Sequence, residues 1–267
     1  MDGLGNDFII FDNREESISL SKDQIVKISD RNNIGCDQVI FIDKDERNDA
    51  FLTFYNSDGE ETSACGNGSR CVAYFLMNEK NNKKISLKTK SGILQAELND
   101  KKLVCINMKQ PIFDWKKIPL VKEMDNQNLK VEITDVDGKE LVGGFSLSVG
   151  NPHIIFFVKN INKFNLEDIG PKIENHIYVP QKCNVTLASI KNRELIKVKV
   201  WERGAGLTKA CGTAACATAV AGACLKLSER NINIEFSEGL LNINWKKDNN
   251  IYMTGKVSET KKIKVNI

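Results

Sequence analysis

The sequence lacks the features of a secreted or membrane-spanning chain. Residues 1–14 contain no basic region followed by an apolar segment and a small-residue cleavage site, so no secretory signal is visible. The longest nearly apolar stretch, residues 214–225, is too short to span a bilayer and consists mostly of small residues, which favours a buried helix. We therefore expect a cytoplasmic protein that does not contact a membrane.

Metal ligands and one-sided charge are also scarce. The chain has only 2 histidines and no Cys-x-x-Cys motif, so no metal site is expected. Its 38 basic and 35 acidic side chains give a net charge of +3 and are scattered along the chain, which argues against nucleic acid as a partner. The 8 cysteines of an intracellular chain are better explained as thiols than as a disulfide framework.

What the sequence does contain is a long internal repeat. The segment GNDFIIF at 5–11 returns as GNPHIIF at 150–156, and ACGN at 64–67 returns as ACGT at 210–213. The first motif precedes the second by nearly the same distance in each copy, since Asn to Cys spans 59 positions in the first and 60 in the second. Chance would rarely give such a match, so the sequence predicts two copies of one structural plan.

Both copies show similar strand and helix patterns. Short apolar, β-branched and aromatic runs predict strands at 8–11, 39–42, 51–55, 85–89, 93–98 and 103–108, and again at 232–236, 240–245 and 251–257. A capping box at Ser21 and Gln24 opens a helix whose counterpart is expected at 166–175. The segments after the two repeated cysteines predict helices without a clean polar face, as expected for a helix wrapped by a sheet.

The repeat also sets the expected domain boundaries. Prolines 111 and 119 flank a polar and aromatic joint between the copies. The first lobe is expected at 1–112 and carries Cys65, and the second at 113–256 carries Cys211. Alternation of Lys with Ile and Val predicts a half-exposed strand at 257–267 that returns to complete the first lobe.

The two repeated cysteines occupy the position where a thiol becomes reactive. Unpaired N–H groups and the helix dipole favour negative charge at a helix start, so Cys65 and Cys211 are expected to ionise at low pH. If two homologous lobes close on one substrate, the equivalent sulfurs lie on opposite sides of it. One thiolate then removes an α-proton, the other thiol returns one to the opposite face, and a stereocentre is inverted without pyridoxal phosphate or metal.

The other cysteines and polar markers have simpler interpretations beside the functional ones. Free cysteines are commonly small buried hydrophobes, which is expected for Cys71, Cys105, Cys183, Cys216 and Cys224, while Cys36 is left undecided. Asn6, Asn56, Asn151 and Asn184 suit turns, but their placement beside strands in both copies favours ligand contact. The Glu202-Arg203 pair suits either a solvated ion pair or carboxylate binding. His153 suits either a loop imidazole or a tuner of a nearby thiol.

Together these residues resemble the diaminopimelate epimerase family over essentially the whole chain. The matching segments are GLGNDF at 3–8, DQ at 37–38, NSDG at 56–59, CGNGSRC at 65–71, GNPH at 150–153, Asn184, ERGAG at 202–206 and CGT at 211–213. Asp2, Leu207 and Ala214 depart from the usual family residues. The resemblance implies an α/β (α+β) fold of two pseudo-symmetric lobes, each a mostly antiparallel sheet wrapped around a central helix.

The resemblance also implies a function and a set of site residues. The reaction is interconversion of LL- and meso-diaminopimelate in lysine and peptidoglycan precursor synthesis, with Cys65 and Cys211 as the catalytic pair and no cofactor. Substrate contacts are implied for Asn6, Gln38, Asn56, Gly66, Asn67, Asn151, Asn184, Glu202, Arg203, Gly212 and Thr213. His153 and Glu202 are implied as tuners of thiol ionisation. The expected partner is the small-molecule substrate, and a homodimer is left open.

Three alternatives remain at this point. A two-cysteine racemase for proline or hydroxyproline would have less use for Glu202-Arg203 and the asparagine set. A non-catalytic two-lobed protein would bind a small zwitterion without exchanging its α-proton. An acyl-transfer enzyme would use one cysteine as nucleophile with His153 as base, and this leaves the second cysteine without a purpose.

Overall fold

The computed structural model describes residues 1–62, 65–101 and 103–265. The chain forms two compact units, residues 1–107 with 254–267, here the N-terminal lobe, and residues 108–253, here the C-terminal lobe. The junction lies after Asn107 and not after residue 112, because Met108 donates a backbone hydrogen bond to Ile251 and Ile112 forms a bridge with Ser148. These contacts attach the segment 108–112 to the C-terminal lobe.

The N-terminal lobe is a sheet with two helices. Its strands are β1 (Asp2–Gly3), β2 (Asn6–Asp12), β3 (Gln38–Asp43), β4 (Ala50–Asn56), β5 (Glu61–Thr62), β6 (Lys84–Thr89), β7 (Gly92–Leu98) and β8 (Val104–Asn107), and its helices are α1 (Lys22–Ser29) and α2 (Gly66–Lys80). The strand order is β1-β2-β3-β4-β6-β7-β8, with β5 paired to β4. The pairs β2/β3 and β4/β6 are parallel, whereas β1/β2, β3/β4, β4/β5, β6/β7 and β7/β8 are antiparallel.

The C-terminal lobe contains the strands β9 (Val131–Thr134), β10 (Glu140–Gly143), β11 (Phe145–Ser148), β12 (Pro152–Phe157), β13 (Asn184–Asn192), β14 (Leu195–Glu202), β15 (Gly206–Thr208), β16 (Asn231–Phe236), β17 (Gly239–Trp245) and β18 (Ile251–Gly255), and the helices α3 (Leu166–Glu174) and α4 (Gly212–Cys224). A short 3-10 helix covers Ile161–Lys163. Strands β9 and β10 form a separate hairpin, and the main order is β11-β12-β13-β14-β16-β17-β18, with β15 paired to β14.

The two lobes repeat one another element for element. Strands β1 to β8 correspond to β11 to β18, α1 to α3, and α2 to α4, and the parallel pairs β2/β3 and β4/β6 recur as β12/β13 and β14/β16. The register is shared as well, because Phe8 pairs with Gln38 in one lobe and His153 pairs with Asn184 in the other. The expected fold of two pseudo-symmetric lobes, each with a mostly antiparallel sheet around a central helix, is confirmed.

The central helices are buried because their sequences offer no polar stripe to solvent. In α2 most side chains from Asn67 to Met77 are buried, and in α4 the same holds from Gly212 to Gly222. Small residues let α4 pack closely against β11, β12, β13, β16 and β17. Helix α1 instead lies on the surface and begins with the expected capping box, in which Ser21 and Gln24 exchange side-chain and backbone hydrogen bonds.

The strand expected at 257–267 is absent from residues 257–265. Residues 256–265 have no regular secondary structure, and residues 266 and 267 lie outside the described part of the chain. The segment is nevertheless held to the N-terminal lobe by single contacts, such as the Ser258 N–H donating to the Asp2 carbonyl at 2.8 Å and the Tyr74 hydroxyl donating to Glu259 at 3.0 Å. The lysines of this segment are exposed, so it has little apolar surface with which to add a ladder strand.

Candidate active site

Cys65 is the N-cap residue of α2, as the sequence predicts. Its Sγ accepts a hydrogen bond from the Gly68 N–H at 3.3 Å and donates to Asn6 Oδ1 at 4.0 Å. The side chain is only partly buried. A donor at the helix start stabilises a thiolate, so this sulfur is suited to removing a proton.

Asn6 is oriented by a charged network that sequence reasoning missed. The Asn6 amide donates from Nδ2 to Asp37 at 2.9 Å, which turns Oδ1 toward Cys65. Arg31 binds Asp37 at 2.6 Å and forms two hydrogen bonds with Asp7, at 2.6 and 2.9 Å. Asp37 stands in one of the matching motifs, directly before Gln38, and this was the available signal for its role.

The remaining expected contacts of the N-terminal lobe form a second polar group. Gln38 and Asn56 are paired across β3 and β4, and Gln38 donates from Nε2 to Asn56 Oδ1 at 2.8 Å. Gln38 Oε1 and Asn67 Oδ1 are buried acceptors without a hydrogen-bond partner among the described residues. Gly66 is the first residue of α2. Because buried acceptors are normally satisfied, the two open oxygens suit a donor such as an ammonium group.

Cys211 is the N-cap of α4 but has different surroundings. It is 5% exposed, and Sγ lies 3.4 Å from Thr213 Oγ1. Burial raises the pKa of the Cys211 thiol well above its ordinary value, and the adjacent Glu202 carboxylate raises it further. The expectation of a lowered pKa was therefore wrong for Cys211, because desolvation outweighs the helix start. A thiol held protonated in this way is suited to donating a proton.

His153 and Asn151 lie beside this cysteine in the C-terminal lobe. Asn151 donates from Nδ2 to Thr213 Oγ1 at 3.3 Å, and its Oδ1 lies 2.9 Å from His153 Nε2. Burial, assisted by the charge of Arg203, lowers the pKa of His153 to about 3, so the imidazole is neutral. Within this lobe His153 reaches Cys211 through Asn151 and Thr213 and not by direct contact.

The Asn184 side chain is hydrogen-bonded to the backbone of Arg203. Asn184 is buried, donates from Nδ2 to the Pro152 carbonyl at 2.9 Å and accepts the Arg203 N–H at 3.0 Å. The Arg203 side chain is exposed and donates to the Gln181 carbonyl at 3.2 Å. Asn184 thus holds the turn at 203–205 that presents the guanidinium. Gly212 begins α4, as Gly66 begins α2.

The other cysteines divide into two groups. Cys71, Cys183 and Cys216 are buried as expected, and burial raises the pKa of Cys71 and of Cys183 to about 12. Cys36 is also buried, and its Sγ donates to Ser29 Oγ at 3.5 Å. Full burial was wrong for Cys105 and Cys224, which are partly exposed. Cys105 lies on the face of β8 opposite the buried Val104 and Ile106, and Cys224 is the last residue of α4.

Metal-binding clusters and membrane-spanning helices are both absent from residues 1–62, 65–101 and 103–265. In these ranges no three His, Cys, Asp or Glu side chains gather as they would to hold a metal ion. None of the helices in the same ranges has the length and apolar character needed to cross a bilayer.

Relatives of known name match the chain over nearly its full length. It is 54% identical over 267 residues to the diaminopimelate epimerase of Pelagibacter ubique (strain HTCC1062), covering 100% of this chain and 97% of the relative. It is 40% identical over 269 residues to the diaminopimelate epimerase of Caulobacter sp. (strain K31), covering 97% and 93%. Both matches span both lobes.

Solved structures with low sequence identity share the fold. A Bacillus anthracis phenazine biosynthesis protein of the PhzF family superimposes with a TM-score of 0.68 at 16% identity, covering 100% of this chain and 95% of that one. A hydroxyproline epimerase from Agrobacterium vitis superimposes with a TM-score of 0.60 at 12% identity, covering 88% and 77%.

The family profile named Diaminopimelate epimerase matches residues 1–113 and 145–260. Together with the 54% and 40% identities to the two diaminopimelate epimerases, this match establishes that the chain belongs to the diaminopimelate epimerase family.

Proposed function

We propose that this protein interconverts LL- and meso-2,6-diaminopimelate by a two-base mechanism in which Cys65 and Cys211 act on opposite faces of one α-carbon. The observation that carries the proposal is the repeated placement of a cysteine as N-cap of the central helix in each lobe. A structural cysteine has no reason to recur at this same place in two lobes that otherwise differ in sequence. The 54% identity with a diaminopimelate epimerase supports the choice of substrate.

The environments of the two sulfurs assign their starting roles. We assign Cys65 the role of first base because its sulfur is only partly buried and accepts the Gly68 N–H. Loss of the hydrogen that it otherwise donates to Asn6 Oδ1 leaves a thiolate that water and this N–H can stabilise. Cys211 is buried beside Glu202, and its raised pKa favours the thiol. In the first direction the Cys65 thiolate takes the α-proton, the C–H electron pair stays on carbon, and the Cys211 thiol protonates the other face. The protonation states of the two sulfurs are then exchanged, ready for the opposite stereoisomer.

The polar residues around each sulfur suit a zwitterionic substrate. The open acceptors on Gln38 and Asn67 suit an ammonium group, and the N–H groups at both helix starts, with Gly66 and Gly212 leaving the backbone accessible, suit a carboxylate. The exposed guanidinium of Arg203 suits the distal carboxylate, with Asn6, Asn56, Asn151, Asn184, Glu202 and Thr213 completing the contacts. The proposed chemistry uses no pyridoxal phosphate or metal, and we place it in the cytoplasm as a step in lysine and peptidoglycan precursor synthesis.

The test is deuterium uptake from D₂O into the α-position of diaminopimelate, followed by NMR with purified protein. Wild type should incorporate deuterium and form the other stereoisomer. Cys65→Ser and Cys211→Ser should each lose epimerisation by roughly 10²- to 10⁴-fold, the usual contribution of one general acid or base. Cys224→Ser, in the same helix as the Cys211 cap, is the matched control and should keep wild-type turnover.

Three outcomes would contradict the proposal. Full activity in either the Cys65 or the Cys211 variant would remove the two-base mechanism. Exchange into proline or hydroxyproline alone would replace the substrate by that of the related racemases. Tight binding of diaminopimelate without α-exchange would make the protein a binding protein.

A further inference from the structure

A chain of side-chain hydrogen bonds runs from a buried imidazole to the Cys211 sulfur. His153 Nε2 lies 2.9 Å from Asn151 Oδ1, Asn151 Nδ2 donates to Thr213 Oγ1 at 3.3 Å, and Thr213 Oγ1 lies 3.4 Å from Cys211 Sγ. All four residues belong to the C-terminal lobe. This series of hydrogen bonds therefore offers a route by which groups that do not touch the sulfur influence its ionisation.

The donor and acceptor roles along this series of hydrogen bonds follow from the position of the hydrogen on the His153 imidazole. His153 is 0% exposed and neutral, so only one ring nitrogen carries a hydrogen. Nδ1 has no hydrogen-bond partner among the described residues, and a buried N–H without a partner costs more than a buried lone pair without one. The hydrogen consequently lies on Nε2 and is donated to Asn151 Oδ1, which leaves the amide nitrogen of Asn151 to face Thr213 as a donor.

The Thr213 hydroxyl has one hydrogen, and this arrangement directs it to the sulfur. Thr213 Oγ1 accepts from Asn151, so its own O–H is available to Cys211 Sγ. Glu202 has the opposite effect on the Cys211 thiolate and destabilises it, because two neighbouring negative charges repel each other. Among the described residues of this lobe, Glu202 acts on Cys211 through its charge and a side-chain hydrogen bond, and Arg203 acts on His153 through its charge.

We propose that Thr213 is a positioning residue whose hydroxyl donates to Cys211 Sγ and stabilises its thiolate against Glu202, with the donor direction imposed by His153 through Asn151. The inference rests on the proposed role of Cys211 in proton transfer. Together with the backbone N–H of Ala214, which also lowers the pKa of Cys211, this hydroxyl explains how a sulfur that must start as a thiol still reaches the thiolate state during turnover. A hydroxyl that can rotate suits both states, since it donates to the thiolate and can accept from the thiol.

The contacts described for Cys65 in the N-terminal lobe are of a different kind. The residue two positions after Cys65 is Asn67, whose Oδ1 is a buried acceptor that no described donor reaches. Asn6, the counterpart of Asn151, presents its oxygen to Cys65 because Asp37 takes its amide nitrogen. Each sulfur interacts with the backbone N–H of the residue three positions on, Gly68 for Cys65 and Ala214 for Cys211, and the proposal concerns the additional side-chain donor at Cys211.

The test compares Thr213→Val, which keeps the side-chain size but removes the hydroxyl, with Thr213→Ser, which keeps the hydroxyl. Substrate-free, full-length protein is alkylated with iodoacetamide between pH 7 and 9, and the rate at each cysteine is followed by peptide mass spectrometry. Below the thiol pKa the rate is proportional to the thiolate fraction. The Val variant should react about tenfold more slowly at Cys211 at each pH, equivalent to about one pKa unit. The Ser variant should stay within about twofold of wild type, and Cys65 in the same samples is the internal control.

A second readout separates this role from a merely structural one. In the reaction direction in which Cys211 is the base, the acidic limb of the pH profile of kcat/KM should move upward by about one pH unit in Thr213→Val, whereas a structural defect would lower the profile without moving it. His153→Leu should slow Cys211 alkylation in the wild-type background but have no further effect when combined with Thr213→Val. His153→Gln, which can still donate an N–H, should restore the rate. If Thr213→Val fails to fold, Thr213→Ala gives the same comparison.

The proposal is overturned if the Val variant alkylates at Cys211 as fast as wild type, or if the Ser variant slows as much as the Val variant. Because alkylation is measured without substrate, either result would leave the epimerase assignment standing. Conversely, an inactive wild-type protein with the expected alkylation pattern would remove the assigned reaction and keep the hydrogen-bond chain.

Discussion

The indole N–H of Trp201 donates to the buried Glu174 carboxylate at 2.7 Å, and this bond joins α3 to the end of β14. The second carboxylate oxygen of Glu174 accepts the Gly204 N–H at 3.1 Å. One side chain on α3 therefore holds Trp201 and Gly204, the residues on either side of the proposed substrate contacts Glu202 and Arg203. The role of Arg203 depends on a residue outside the proposed set of substrate contacts.

Glu174→Gln should destabilise the protein by about 1–3 kcal/mol, because one of two N–H donors would then face the amide nitrogen of glutamine. Turnover should also fall, since the segment 202–203 loses one of the two bonds that flank it. Urea unfolding and kcat/KM measure the two effects. Glu167→Gln, an exposed position on the same helix, is the control and should stay within about 0.5 kcal/mol of wild type. Equal stability of the two variants would show that Glu174 is not an anchor.

Gly170→Ala should also destabilise the protein, although alanine usually favours a helix by about 1 kcal/mol over glycine. A Cβ at position 170 would lie 2.6 Å from Cγ and Cδ2 of the Trp201 ring. Because the ring is hydrogen-bonded to Glu174, it cannot move aside without breaking that bond. Overpacking of this kind lowers the free energy of unfolding by about 1–3 kcal/mol. Thermal unfolding measures the change. In a Trp201→Ala background the obstacle is gone, and the same substitution should become neutral or stabilising.

Asp37→Asn should lower kcat by about ten- to a hundredfold, the range expected when a group near the reacting atom loses its orientation. Asp37 accepts from Asn6, Arg31 and the Asp7 backbone, and an asparagine would present a donor to one of them. Steady-state kinetics with diaminopimelate measures the loss. Asp23→Asn, an exposed substitution on α1, is the matched control. A kcat unchanged by Asp37→Asn would separate Asn6 from the charged network.

The Asp7–Arg31 ion pair should make stability depend on pH below about 4. Partial burial tends to raise the pKa of Asp7, but the hydrogen bonds and charge of Arg31 outweigh it and hold the pKa below the ordinary 3.8. A carboxyl with a lowered folded-state pKa contributes stability above its unfolded pKa, and this contribution is lost as pH falls through the folded value. The difference in urea midpoint between wild type and Asp7→Asn should therefore shrink from pH 5 to pH 3. In an Arg31→Gln background the same difference should change little with pH, and an equally steep change there would exclude the ion pair as its source.

Strand patterns predict the structure most accurately where alternation is strong. The strands expected at 85–89, 93–98, 232–236 and 240–245 appear as β6, β7, β16 and β17 with nearly the same bounds. Two strands were not anticipated. Strand β14 was missed although its burial alternates, so alternation alone did not ensure its recognition. Strand β13 is nine residues long and was missed for a different reason. Its first six residues are all buried, so they show no alternation. Such a strand is difficult to distinguish from a buried helix by periodicity.

Residues of the candidate site are identified through the repeat, whereas their partners are not. The shared spacing from Asn6 to Cys65 and from Asn151 to Cys211 indicates equivalent positions by residue identity alone. Glu174 gives no such signal, because its partner Trp201 lies 27 positions away and meets it only after α3 docks on the sheet. Arg31 likewise acts on Asp7 across 24 positions.

The amino-acid sequence alone determined the duplication, the helix starts at both cysteines and the family. These follow from local pattern and residue identity, which do not depend on how the chain packs. Only the tertiary structure decided the burial that raises the pKa of Cys211, the hydrogen-bonded side chains that reach its sulfur and the irregular path of residues 256–265. Burial, neighbouring charge and hydrogen-bond partners come from segments distant in the chain, and a thiol at a helix start is governed by their sum and not by its motif.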